Sequence, residues 1–246
     1  MKNWSSEKKL LTAITLCYNK RDFMERAVES FIKWNGLQGS DLDYILWDQG
    51  APYEGVSSYL EDKKENGQSY ITVMGDGVNI GIGAALNRAI EYTDSEFVFK
   101  LDDDTELLPF TLPAMILVYA MARQAGYPLA VLSADVLGPG KSQATVHEYE
   151  LSPGIVLEEY PCVGGGAVLI SRDVIEDVGK FRDDRLYCLE DGDFQGRALQ
   201  KGYRNAYLRG AYHISYCRTP EADQAFDRWK DEYIAGDTNL DFASWK

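Results

Sequence analysis

Hydrophobic and polar positions along the chain change period in a regular order. Residues 10–16 form a compact apolar run rich in Leu and Thr, the mark of a buried strand. Asp22 with Glu25 has the spacing of an N-terminal capping pair, and Phe23, Ala27, Val28, Phe31 and Ile32 then recur at helical intervals. The alternation continues with strands predicted over 44–47, 70–74 and 96–101 and helices over 56–64 and 83–92. Strands separated by helices imply a parallel sheet with right-handed crossovers, which binds ligands beyond the carboxyl ends of its strands. The second half is less regular. It predicts helices over 109–124, 173–178 and 192–201, strands over 129–133 and 203–208, and two further strands over 154–160 and 163–170 with antiparallel pairing. A tail over 220–234 reads as an amphipathic helix bearing Phe226, Trp229 and Tyr233, with Pro220 in its first turn and a solvated charged face. No internal repeat or linker divides the chain, so a single α/β domain spanning 1–246 is expected.

Composition narrows the ligand classes. The 25 Lys and Arg against 39 Asp and Glu leave a net charge of −14, which repels a polyphosphate backbone, so no nucleic-acid partner is expected. A nucleotide is still admissible if a divalent cation stands between carboxylates and phosphates. Residues 1–16 lack a signal-peptide core and no run approaches the roughly 18 apolar residues of a membrane span, so a soluble, cytoplasmic protein is expected. Cys17, Cys162, Cys188 and Cys217 are scattered without a CxxC, the pattern of reduced structural thiols.

Asp102, Asp103 and Asp104 stand where the apolar strand through Phe97, Val98 and Phe99 runs out. Adjacent carboxylates repel one another, and Mg2+ or Mn2+ relieves that repulsion with waters and phosphate oxygens completing its shell. An acidic turn before the helix predicted from Pro109 is the plainer alternative.

Further segments follow in a telling order. Ile14-Thr15-Leu16-Cys17-Tyr18-Asn19-Lys20-Arg21 ends the first strand and Trp47-Asp48-Gln49-Gly50-Ala51 the second; Asn79-Ile80-Gly81 precedes Gly83, Ala84 and Asn87. Beyond the acidic triplet come Gly164-Gly165-Gly166-Ala167-Val168-Leu169-Ile170-Ser171-Arg172, Val178-Gly179-Lys180-Phe181-Arg182, and Glu190-Asp191-Gly192-Asp193-Phe194 with Arg197, Lys201, Gly202 and Tyr203, and then His213. In this order they resemble the motifs of the family 2 glycosyltransferases of the GT-A fold, Leu101 to Asp104 matching the Leu-Asp-x-Asp form of the DxD motif. The match covers most of residues 10–216. Lys180, Arg182, Leu86 and Ala51 depart from that family's usual Gly, Asp, Arg and Ser; no carboxylate is missing.

The resemblance implies a Rossmann-like, mostly parallel central sheet flanked by helices, with a smaller antiparallel acceptor-side part. A nucleotide-binding half at about 10–104, an acceptor-side half at 105–216 and a helical tail at 217–246 follow from it. It implies metal-assisted transfer, with inversion, of a sugar from a nucleotide-diphosphate donor, UDP-sugar favoured, to a hydroxyl of a glycan, lipid-linked, protein or small-molecule acceptor. Tyr18 and Asp48 would touch the nucleobase, with Asn19, Asn79, Gly81 and Asn87 in the same site and Asp102 and Asp103 beside it, Asp103 turned away from the metal. Asp102 and Asp104 would hold Mn2+ or Mg2+, with His213 closing the shell. Asp191 would be the general base, with Glu190 orienting it or the acceptor. Asp193 reads as the cap of the helix from Gly192, and His147 as a surface residue. A core tyrosine at Tyr18, a turn aspartate at Asp48, a structural His213 and a helix-capping Asp191 are the plainer readings. A nucleotidyltransferase on a related sheet and a noncatalytic nucleotide- or sugar-binding module are the rival functions.

Overall fold

The computed structural model describes residues 8–137 and 147–245. The first half is β1 (Lys9–Cys17), α1 (Arg21–Trp34), β2 (Leu42–Asp48), α2 (Val56–Asn66), β3 (Ile71–Met74), α3 (Ile82–Glu91) and β4 (Ser95–Leu101). It continues with β5 (Thr105–Leu107), α4 (Thr111–Gln124), β6 (Leu129–Val136), β7 (His147–Ser152), β8 (Ile155–Tyr160), β9 (Ala167–Ser171) and α5 (Arg172–Val178). The last elements are α6 (Glu190–Gln200), β10 (Arg204–Ser215), α7 (Gln224–Ala235) and α8 (Phe242–Trp245).

The described strands form one sheet in the order β3-β2-β1-β4-β9-β6-β10-β8-β7, with β5 added against the end of β10. The β3, β2, β1 and β4 strands are mutually parallel, as the alternating pattern requires. β9 then runs antiparallel to both β4 and β6, and β10 pairs parallel to β6 but antiparallel to β8. One face is covered by a core in which Phe31, Tyr44, Phe97, Phe99 and Met115 meet; Ile14, Trp47, Leu86, Val98 and Phe194 belong to the core on the other. A separate aromatic cluster of Phe226, Trp229, Tyr233 and Phe242 fastens α7 and α8 onto Tyr18, Tyr53 and Tyr187.

Several local expectations change. Asp22 lies in the first turn of α1, whose N-cap is Lys20 without a side-chain cap, so the Asp22 and Glu25 spacing marks a favourable dipole interaction instead of a capping pair. α6 starts at Glu190, two residues before the predicted Gly192, behind a left-handed Leu189. Asp193 therefore sits inside the helix, where it pairs with Arg197 at 2.8 Å, and does not cap it. The tail helix begins after Asp223, whose Oδ1 accepts from the backbone N–H groups of Ala225 and Phe226, so Pro220 precedes the helix. Gly164, Gly165 and Gly166 lie outside the strand predicted over 163–170; β9 begins at Ala167. β5 and β7 are too short and too polar to stand out as strands in the sequence, and His147 is exposed on β7.

Asn87 on α3 faces the loop after α5: its Nδ2 donates to the carbonyl of Phe181 at 2.9 Å and its Oδ1 accepts from the N–H of the same residue at 2.9 Å. Asn87→Ala leaves both buried backbone groups unpaired, so unfolding in urea should show a loss of about 2–3 kcal/mol, with nucleotide affinity unchanged.

Candidate active site

A cavity of about 400 Å3 opens beyond the carboxyl ends of β1 and β4. Its wall is completed by the glycine run before β9, the first turn of α6, the end of β10 and one side of α7. This is where an open α/β sheet places ligands.

The acidic triplet forms a tight turn: the Asp102 N–H donates to the Gly166 carbonyl at 2.8 Å, and the Thr105 N–H to the Asp102 carbonyl at 3.1 Å. Asp103 Oδ2 accepts from the N–H groups of Tyr18 at 2.6 Å and Asn19 at 2.7 Å, which ties the turn to the end of β1. Asp104 is buried, with the Asn19 amide donating to it at 3.4 Å. Burial first, and then the charge of its neighbours, pushes the carboxyls of Asp103 and Asp104 above the ordinary range.

Lys100, the last polar residue of β4, answers this crowding from beneath. Its Nζ, 6% exposed with the rest of the residue, donates to Asp102 Oδ1 at 2.5 Å and to the Gly165 carbonyl at 2.8 Å, and lies 3.5 Å from Asp191 Oδ2. One ammonium thus joins the acidic turn to the first turn of α6. Glu190, buried beside Asp191, is pushed up to about 7 by burial and then by the Asp191 charge, with Lys100 opposing.

The glycine run makes this closeness sterically feasible. A Cβ on Gly165 would stand 1.9 Å from Asp191 Oδ2, and one on Gly166 would stand 2.9 Å from His213 Nε2. His213 is buried, its pKa is lowered by that burial, and its Nδ1 has no hydrogen-bond partner among the described residues. Asp104, a buried carboxylate that resists ionisation, with Asp102 beside it and the His213 imidazole on the same cavity, suits a hard divalent cation. Among the described residues they are not drawn together as a finished three-ligand cluster.

At the other end of the cavity, Tyr18 donates its hydroxyl to Asp241, and the Asn79 amide donates to Asp241 Oδ2 at 3.1 Å. The tail therefore engages two of the residues expected at the nucleotide. Asp48, Gly81 and Asn87 stand outside the cavity wall. Asp48 Oδ1 accepts from the Gly50 N–H at 2.9 Å, and Gly81 has φ +89° with no room for a Cβ, which would lie 2.4 Å from the Arg185 carbonyl. The cavity brings together Tyr18, Asn19, Asn79, Asp102, Asp103, Asp104, Glu190, Asp191 and His213. Sequence reasoning missed Lys100 and Lys230. A lysine within the strand Phe97-Val98-Phe99-Lys100-Leu101 is an anomaly that could have flagged the first; Lys230 carries no such signal.

A mixed sheet of this order, with an acidic turn after β4 facing a carboxylate pair on α6, defines a GT-A type α/β protein. The chain belongs to glycosyl transferase family 2, whose model matches residues 12–179. It is 25% identical over 100 residues to a processive diacylglycerol beta-glycosyltransferase of Mycoplasma pneumoniae, a stretch covering 40% of this chain and only 28% of that protein. Its fold is similar to that of the mannosyltransferase PcManGT from Pyrobaculum calidifontis in complex with GDP-Man and Mn2+, with a TM-score of 0.65 at 16% identity over 96% of this chain and 66% of that one. S. aureus TarS 1-349 in complex with UDP-GlcNAc gives 0.63 at 16% identity, over 96% and 69%. No helix among the described residues is long and apolar enough to cross a membrane.

Two outcomes follow from the charge arrangement. Lys100→Met removes the cation shared by Asp102 and Asp191, and since Asp102 is partly exposed the loss of stability should be near ~3 kcal/mol, the low end for a broken buried pair, read from chemical denaturation. Glu190 holds a proton in the folded chain between about pH 4.5 and 7 that the unfolded chain has released, so its contribution to stability is full below that window and falls as pH rises through it. Glu190→Gln should therefore gain on the wild type by about 3 kcal/mol between pH 4.5 and 8, and equal slopes of stability against pH would refute the assignment.

Proposed function

We propose that the chain is a glycosyltransferase that moves a sugar from a nucleotide-diphosphate donor, a UDP-sugar in the first place, to an acceptor hydroxyl with inversion. The observation that carries this reading is the shared cavity in which the acidic turn after β4 faces Asp191 at the start of α6, bridged by Lys100. Family membership and fold neighbours solved with GDP-Man and UDP-GlcNAc support it.

In this reading the donor lies with its nucleotide toward Tyr18 and Asn79 and its diphosphate toward Asp102 and Asp104. These two carboxylates and His213 would hold a divalent cation, Mn2+ or Mg2+, which when bound supplies positive charge for the diphosphate. Asp191 accepts the proton of the acceptor hydroxyl while that oxygen bonds to the anomeric carbon and the bond from that carbon to the phosphate oxygen breaks. Lys100, 3.5 Å from Asp191 Oδ2, fixes that carboxylate in place. Glu190 packs behind Asp191 and sets its direction. The wall formed by Leu186, Tyr187 and Trp229 keeps water from competing with the acceptor.

Release of UDP from a panel of UDP-sugars with Mn2+, with GDP-sugars run alongside, tests the reading, and no turnover of any donor would point to the noncatalytic binding module. Asp104→Asn should weaken nucleotide and metal binding together. Asp191→Asn should leave donor affinity nearly intact while transfer falls by about 10²-fold or more. Calorimetric donor binding beside the transfer assay separates the two, and equal loss of donor binding in both variants would displace Asp191 from the acceptor side.

A further inference from the structure

We propose that Lys230 on α7 is the cation that receives the charge of the departing diphosphate, which makes the C-terminal helix part of the catalytic apparatus. The proposal rests on the transfer reading above and adds to it a residue from outside the matched family region, which ends at residue 179.

Lys230 is 5% exposed, and it lines the same cavity as Asp104, His213, Ser215 and Cys217. Its surroundings hold the charge without satisfying it. The nearest carboxylate oxygen, Asp227 Oδ1, is 3.6 Å away, the Cys217 Sγ is 3.8 Å away, and the Phe226 ring lies beneath at 4.3 Å from its centroid. An ammonium has three N–H donors, and a buried one left without oxygen acceptors is expensive. Among the described residues no oxygen stands within hydrogen-bond distance of this one. The other buried lysine of the cavity is fully engaged, by Asp102, Asp191 and the Gly165 carbonyl. Lys230 is thus the ammonium with donors to offer, and it stands close enough to Asp104 to act on that carboxylate through its charge.

A diphosphate entering beside Asp104 supplies the missing oxygens. When the bond between the anomeric carbon and the phosphate oxygen breaks, its electron pair stays on that oxygen, and the N–H groups of Lys230 meet the new negative charge while the lysine keeps its proton. A donor aimed at charge that develops in the transition state acts more strongly there than in the bound ground state. Packing of Phe226, Trp229 and Phe242 against Tyr18 and Tyr53 holds α7 at the distance this requires.

The test uses the full chain with Mn2+ and compares the wild type with Lys230→Met and Lys230→Arg. UDP, GDP and uridine serve as binding probes, and release of nucleotide from the corresponding sugar donors as the rate. Lys230→Met should bind the turned-over diphosphate about tenfold more weakly and lose about 10²-fold in kcat, with uridine affinity and the melting curve little changed, and Lys230→Arg should recover part of both. If melting shows Lys230→Met unfolded, Lys230→Gln takes its place. A folded neutral variant with wild-type diphosphate affinity and kcat overturns the proposal and leaves the transfer reading standing. A wild type that neither binds a diphosphate nor turns over a donor overturns both.

Discussion

The central constraint on this molecule is the crowding of carboxylates at the carboxyl end of β4. Asp102, Asp103 and Asp104 face Glu190 and Asp191 across a cavity in a chain that is already strongly acidic. Asp103 is held by two backbone N–H groups of the β1 turn, Asp102 and Asp191 share Lys100, and Asp104 accepts from the Asn19 amide. The antiparallel entry of β9 beside β4 serves the same constraint, because it carries Gly165 and Gly166 to a place where a side chain would separate these groups. The sheet supplies the frame; the electrostatics decide what may stand at its edge.

Much of the frame was legible because it obeys local rules. The strand and helix periods of the first half located β1 through β4 to within a few residues, and the apolar strand ending in three aspartates located the cavity. The parts that were illegible depend on distant partners. Gly164 to Gly166 read as strand because apolar residues follow them, yet Gly165 and Gly166 serve the space required by Asp191 and His213. The start of α6 was misplaced because Cys188 and Leu189 take left-handed backbone conformations that no turn residue announces. Asn87 and Asp193 were assigned by motif position to a ligand and a cap, and their side chains are directed to Phe181 and Arg197 instead.

The tail shows the same limit from another side. Its aromatic positions were recognised as an amphipathic face, but the charged face was read as solvated, and Lys230 on it is buried against the cavity. Amphipathic periodicity reports which residues leave water. It does not report that a buried charge faces a polar cavity instead of a core, since that depends on which surface the helix meets.

Tyr18 and Asp241, 223 residues apart, meet at the end of the cavity beside Asn79. Loop-closure entropy makes such a contact among the slowest to gain, while the parallel strands and helices of the first half can organise from nearby sequence. During synthesis, which releases the N-terminal part first, a chain that has completed β1 through β4 has neither the Gly166 carbonyl that holds Asp102 nor the aromatic wall nor Lys230. The cavity acquires its final lining only when β10 and then α7 have emerged, so the parallel half of the sheet and the wall of the site are completed at separate times.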